Sequence, residues 1–325
     1  DADAVPGNIQ CTVTMTAGTD EYPYQEQETI NLDLTLSQFG FPLDGIVVKS
    51  SPIVADLDND GVKEIYFGSD NEALHGYNSF GEEIDGFPFQ STDRVRSSPA
   101  VGDVDNDGQM EIVFGNSSGK LYIVNHDGSQ QLAYTILGFI EGTSALVDID
   151  GDQDLEIVFT TTTTSGGQLY AIHHNGITMS GFPKELGSMW TGPAVHDIDN
   201  DGAYDIVCTT YDKEIYAVDV NGGAIKPGFP VRLEGRLDIS PTVVDVDSDG
   251  DYEIAVGSND GELYVLHHDG TILAQYDTGD DIRGGISVCD LNNDGQLDLL
   301  FGGYDDKIHV WDPVANELLP GWPVD

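Results

Sequence analysis

Positive charge is scarce in this chain. Its 325 residues carry 12 Lys and Arg against 58 Asp and Glu, a formal net charge of −46. That scarcity disfavours nucleic-acid binding, which needs a basic footprint, and docking on an anionic membrane surface. Cysteine is scarce as well: Cys11, Cys208 and Cys289 cannot build a disulfide framework. Cys208 and Cys289 sit in apolar runs and read as small buried hydrophobes. No apolar stretch approaches the ~18 residues of a membrane span. Asp1-Ala2-Asp3 reads as a processed start, so the missing signal peptide excludes no compartment. What the chain has in plenty is glycine, 39 residues, against a usual share of ~7%. With hydrophobic residues at 39%, the composition describes a folded chain full of tight turns.

The chain also repeats itself. An acidic segment recurs six times, starting at residues 56, 103, 148, 197, 245 and 290, so the copies are 45 to 49 residues apart. Each copy follows a Ser/Thr/Gly-rich turn and a short apolar run such as Ser51-Pro-Ile-Val-Ala55. After it come a second run (Glu64-Ile-Tyr-Phe-Gly68), a polar turn and a third run (Ala73-Leu-His-Gly-Tyr77). A fourth stretch often closes in Gly-Phe-Pro or Gly-Trp-Pro, at 86–88, 181–183, 228–230 and 321–323. Runs of four or five apolar or β-branched residues between turn signals predict strands. Four short strands per ~45 residues is the signature of a propeller blade. The expectation is an all-β, six-bladed β-propeller of four-stranded antiparallel blades over residues 46–325. Residues 1–45 do not fit the unit, although 11–16 and 30–36 alternate like strands and Gly40-Phe41-Pro42 looks like an unattached fourth strand. Either they are the tail of an upstream sandwich, with 38–44 closing the ring beside the last blade, or they are a degenerate seventh blade.

The acidic segment has the chemistry of a cation loop. A hard divalent ion such as Ca²⁺ takes six to eight oxygens at ~2.3–2.6 Å. Aspartates at loop positions 1, 3 and 5 can converge on one point, glycine at position 6 permits the reversal, and an acid at position 9 closes the sphere. That glycine is present as Gly61, Gly108, Gly202, Gly250 and Gly295. Position 2 is always aliphatic, so the loop keeps one side chain in the core.

These residues resemble the FG-GAP or VCBS-type repeat of integrin α-subunit propellers and many secreted bacterial proteins. The resemblance spans about 280 residues. It implies calcium, five or six ions per chain, between the first and second strands of each blade. Carried over by position, the ligands are Asp56, Asp58, Asp60 and Glu64 in the first loop and Asp103, Asp105, Asp107 and Glu111 in the second. Asp148, Asp150, Asp152 and Glu156 form the third, and Asp197, Asp199, Asp201 and Asp205 the fourth. Asp245, Asp247, Asp249 and Glu253 form the fifth, and Asp290, Asn292, Asp294 and Asp298 the sixth. The third loop departs from the pattern with Gln153 in place of glycine, and the sixth with Asn292 in place of an acid, so both should bind more weakly. Lys63 is the one base inside a loop. The acids outside these loops still outnumber the bases, which suits a saline habitat.

The eight histidines invite a catalytic reading, but their register weakens it. His75 and His309 stand where other blades have Tyr122, Tyr170, Tyr216 and Tyr264, and so read as packing aromatics. No Ser-His-Asp arrangement, phosphate-binding glycine loop or zinc spacing appears. The chain is therefore read as non-catalytic. In a propeller the blade-joining loops share a face with the loops between second and third strands, opposite the acidic loops. Arg94, Arg96, Arg232, Arg236 and Arg283 read as joining-loop residues, with Lys49 beside them. Aligning the blades puts Lys49, Arg96, Gly142, Trp190, Asp238 and Arg283 around the channel mouth, with Tyr211 and Tyr304 nearby. Arginine with aromatics suits a glycan or peptide ligand; alternatively, the bases only neutralise neighbouring acids. The expected function is an extracellular or cell-surface adhesion or ligand-binding module. The alternative is a non-catalytic accessory domain of a larger secreted protease or polysaccharide-degrading enzyme.

Overall fold

The computed structural model describes residues 7–19, 22–34, 41 and 43–324. Gly7–Thr19 and Tyr22–Leu34 pair as a two-stranded antiparallel sheet, which contains the strand expected at 11–16 and most of that at 30–36. Most of the Gly40-Phe41-Pro42 signature lies outside the described residues.

Six four-stranded sheets follow. In blade 1, Ile53–Ala55, Glu64–Ser69, Ala73–Tyr77 and Phe89–Gln90 are hydrogen-bonded in that order. Blades 2 to 6 begin with Ala100–Gly102, Ala145–Val147, Ala194–His196, Thr242–Val244 and Ser287–Cys289. Every pairing within a blade is antiparallel, so each connection is a hairpin. The outermost position of blade 6 is taken by Val324, which bridges Ile308. The ring-closing role considered for 38–44 falls mostly on residues outside the described ones.

The second strands show why these runs are continuous rather than alternating. All five residues of Glu111–Gly115, Glu156–Thr160, Asp205–Thr209 and Glu253–Gly257 are buried, because each blade is covered on both faces by its neighbours. Five apolar clusters join consecutive blades. Leu57 and Leu74 of blade 1 meet Ile112 and Phe114 of blade 2. At the other end Val246 and Leu263 of blade 5 meet Leu299, Phe301 and Trp311 of blade 6. The glycine at the end of the second strand, absent from blades 3 and 4 where Thr160 and Thr209 stand, has a steric cause in blades 1, 2 and 5. A Cβ on Gly115 would lie 2.1 Å from Ile140 Cγ2 of the following joining loop. The Ser/Thr-rich turn ahead of the first strand is pinned to the same glycine: Ser97 Oγ accepts from the Gly115 N–H at 2.7 Å and donates to its carbonyl at 3.0 Å.

His75 and His309 occupy the aromatic column as expected, each buried and stacked 5.3 Å from Phe67 and Phe301 respectively. Cys208 is buried, and burial pushes its thiol up to about 12. Cys289 is exposed, which corrects the reading of its apolar run: its strand is in the last blade, where no following blade packs against it among the described residues. Arg232 ends a fourth strand, Val231–Arg232, rather than lying in a joining loop.

Candidate metal centres and the opposite rim

Each acidic segment connects a first strand to a second, and its carboxylates organise its own backbone. Asp56 Oδ1 accepts from the Asp60 N–H at 3.1 Å and Oδ2 from the Gly61 N–H at 2.9 Å. Asp103, Asp197 and Asp290 repeat both bonds at 2.8–3.1 Å. Asp60, Asp107, Asp152, Asp201, Asp249 and Asp294 each accept from the N–H two residues on. The reversal needs left-handed backbone at positions 4 and 6. Position 4 is filled by Asn59, Asn106, Asn200, Ser248 and Asn293 at φ of 54–61°. In the third loop Gly151 takes position 4 at φ 80°, while Gln153 is forced to φ 82° at position 6.

The acid at position 9 is the most informative. Glu64, Glu111, Glu156, Asp205, Glu253 and Asp298 are all at most 8% exposed. Five of them accept from the backbone N–H of the aliphatic residue at position 2, at 2.8–3.3 Å. Burial raises all six carboxyls above the usual range. Glu111 is pushed up to about 7, with the nearby Asp105, Asp107 and Asp103 adding to the effect of burial. Asp205 reaches about 6 although Lys226 pulls it down. Six buried carboxylates beside further acids are costly unless a cation compensates them.

The donor sets fit such a cation. One carboxylate oxygen from each of Asp56, Asp58 and Asp60 lies within 4.8 Å of the others, and so do those of Asp103, Asp105 and Glu111 and of Asp148, Asp150 and Asp152. Two oxygens on one Ca²⁺ are at most about 5 Å apart. Asp105 Oδ1, Asp199 Oδ1 and Asp245 Oδ1 are buried without a hydrogen-bond partner among the described residues. Asp58 and Asp150 turn one oxygen back to the loop backbone, as do Asp247 and Asn292.

Two features of these loops were not read from the sequence. In the third and fifth loops a histidine from the end of the third strand joins the cluster: His173 Nδ1 is 2.9 Å from Glu156 and His267 Nδ1 is 3.3 Å from Glu253. In the fourth loop Lys226 reaches in, with Nζ 2.6 Å from Asp199 and 2.8 Å from Asp205. A signal for Lys226 was present. It stands two residues before Gly228-Phe229-Pro230, where other blades have Ile84, Met179 and Leu319. A lysine in an apolar column needs a partner within reach.

On the opposite face the structure brings Gly142, Trp190, Asp238 and Arg283 around one shallow pocket. Arg96 is not among its lining residues; its guanidinium is engaged with Asp70 at 2.7 and 3.1 Å. Lys49 is exposed near the same aspartate. Arg283 pairs with Asp281 at 3.1 Å and lies 3.8 Å from Asp238. Arg236, Arg94 and Arg232 also face acids, Asp238, Asp93 and Glu214. The rim arginines are thus neutralised by neighbours. The aromatics stay open: Trp190, Tyr211 and Tyr304 are 45%, 42% and 60% exposed. Arg236 stacks over Tyr211 at 4.3 Å and Arg283 over Tyr304 at 5.1 Å.

Six four-stranded antiparallel blades, packed one on the next, define a β-propeller. Residues 56–114, 103–159 and 245–301 match the FG-GAP-like repeat, so the propeller carries three FG-GAP-like repeats. No curated protein matches it in sequence. Among solved structures it is similar to BBS1N in complex with ARL6DN, at 13% identity and TM-score 0.58, covering 89% of this chain and 84% of that one. It is similar to BamB from Moraxella catarrhalis at 17% identity and TM-score 0.58, covering 84% and 74%. The V. cholerae biofilm matrix protein Bap1 matches at 20% identity and TM-score 0.56, over 75% of this chain and 44% of that one. At these identities the likeness is one of fold.

Proposed function

We propose that the chain is a non-catalytic, calcium-stabilised propeller module, extracellular or at a cell surface, that binds a glycan or peptide on the rim opposite its acidic loops. The observation that carries the binding face is the open aromatic set, Trp190, Tyr211 and Tyr304, beside the pocket lined by Trp190, Asp238 and Arg283. The arginine pairings shift the recognition from capture of an anion to stacking. A sugar ring or an aromatic or apolar peptide side chain packs on Trp190, with polar groups hydrogen-bonded to the Asp238–Arg283 pair. BBS1N forms a complex with ARL6DN, so a protein is an occupant this fold admits. The calcium reading rests on the six buried position-9 acids.

A glycan array and a peptide panel, run in calcium and in chelator, test the proposal. Binding that is lost in Trp190→Ala and Tyr304→Ala, with calcium content and melting temperature unchanged, supports it. Undiminished binding by both variants removes this face from consideration.

A further inference from the structure

Along the propeller, the faces that look from one blade to the next are built alike, until the last. One register position near the start of the third strand holds Leu74, Leu121, Leu169, Ile215 and Leu263 in blades 1 to 5, each 0% exposed; in blade 6 it holds Ile308, 49% exposed. The aliphatic residue at loop position 2 follows the same trend, with Leu57, Val104, Ile198 and Val246 at 0–1%, Ile149 partly buried and Leu291 at 45%. Backbone contacts agree. A Cβ on Gly68, Gly115 or Gly257 would strike Val95, Ile140 or Ile282 of the following joining loop, whereas one on Gly302 would meet only the Lys307 carbonyl oxygen, at 3.9 Å. A Cβ on Gly86, Gly181 or Gly228 would strike a turn of the next blade, and one on Gly321 would meet nothing within 4 Å. At the other end, Val54 of blade 1 is 56% exposed, while its counterparts Val101, Val195 and Val243 pack against the preceding blade. No hydrophobic cluster joins blade 6 to blade 1 among the described residues.

We infer that the space between blade 6 and blade 1 is the seat of a seventh four-stranded blade of this same repeat. Three arguments select that occupant over a foreign partner. The open face of blade 6 carries at Leu291, Gly302, Ile308 and Gly321 the residue types that earlier blades bury against the next blade, so what fits it is the back face of another blade, with its apolar first strand and Ile/Phe second strand. The open face of blade 1 offers that same back face and needs a forward face against it. The sequence Gly40-Phe41-Pro42-Leu43 stands one repeat length before Gly86-Phe87-Pro88-Phe89, so in sequence a fourth-strand signature precedes blade 1 as one precedes blade 2. The thirteen-residue pairing of Gly7–Thr19 with Tyr22–Leu34 is unlike the three- to six-residue inner strands of the blades and carries no acidic loop, so that hairpin is not the missing blade.

The test compares equivalent residues. In the 325-residue chain, Ile308→Ser should shift the melting temperature by no more than a degree or two, while Leu263→Ser should lower it by many degrees. The Gly-Trp-Pro register aligns Asp325 with Arg232. A copy of residues 233–270 appended after Asp325 therefore supplies a joining loop and three inner strands. The extended chain should melt higher than the parent, and in it Ile308→Ser should become as damaging as Leu263→Ser. If Ile308→Ser is already that damaging in the parent, blade 6 closes directly on blade 1 and the inference fails. A dimer seen by light scattering and abolished by Ile308→Ser would give the seat to a second copy, and an extension that adds no stability would also overturn the proposal.

Discussion

Replacing Lys226 with methionine separates two ways of neutralising one acidic loop. The ammonium lies 2.6 Å from Asp199 and 2.8 Å from Asp205, where the fourth loop would hold its ion. The lysine side chain is 11% exposed and that of Asp205 1%. Two unit charges 4 Å apart repel by about 4 kcal/mol at an effective dielectric of 20, and a divalent ion doubles this to about 8. Lysine and Ca²⁺ therefore exclude each other, and the fourth loop should be the weakest of the six, below the sixth with its Asn292. Methionine is the residue that blade 3 has in this column, Met179, so the stem packing is kept. In chelator the variant leaves Asp205 buried without its partner, a loss of about 3–5 kcal/mol, and the melting temperature should fall by several degrees. In calcium the variant should bind one more ion per chain than the parent. A site held at 100 times its dissociation constant returns about 2.7 kcal/mol, which closes most of the gap. Elemental analysis and calorimetry in both buffers measure this. Equal ion counts in parent and variant, or the same melting deficit with and without calcium, would refute the reasoning.

The position-9 acids make stability depend on pH with a sign set by calcium. Without the ion their folded pKa values lie above the unfolded ones, with Glu111 at about 7, so between roughly pH 4.5 and 7 the folded chain binds more protons and loses stability as pH rises. With calcium bound the same carboxylates must be ionised, so stability should instead fall as pH drops through that window; parallel melting curves at pH 5 to 8 in the two buffers would count against the loops as metal sites. Gln153→Gly relieves a left-handed glutamine at φ 82° and should stabilise the chain by about 1 kcal/mol in denaturant titration. Asn292→Asp adds a fourth carboxylate to the sixth loop and should tighten its calcium affinity, read by isothermal titration.

How much of this was legible in the sequence depends on whether a feature repeats. The acidic loop and the aliphatic residue behind it recur in register because every blade must turn and anchor in the same way. Six copies at a near-constant spacing are therefore enough to read the blades and their strand order. The exceptions were hidden because they depend on what lies across the blade. Lys226 looks like a stray base in an apolar column until its reach to Asp205, 21 residues away in sequence, is seen. Arg94, Arg96, Arg236 and Arg283 lie in joining loops as read, but a count of bases does not show that Asp70, Asp93, Asp238 and Asp281 stand against them. Cys289 lies in as apolar a run as Cys208, yet one is open and the other buried. The run specifies a strand, whereas burial needs a following blade, and that neighbour is not local to the strand. The same asymmetry explains why Leu291 has the residue type of Val246 and not its burial. A repeat sequence writes each interface twice, once on each blade, and an unmatched half is visible only when the blades are set side by side.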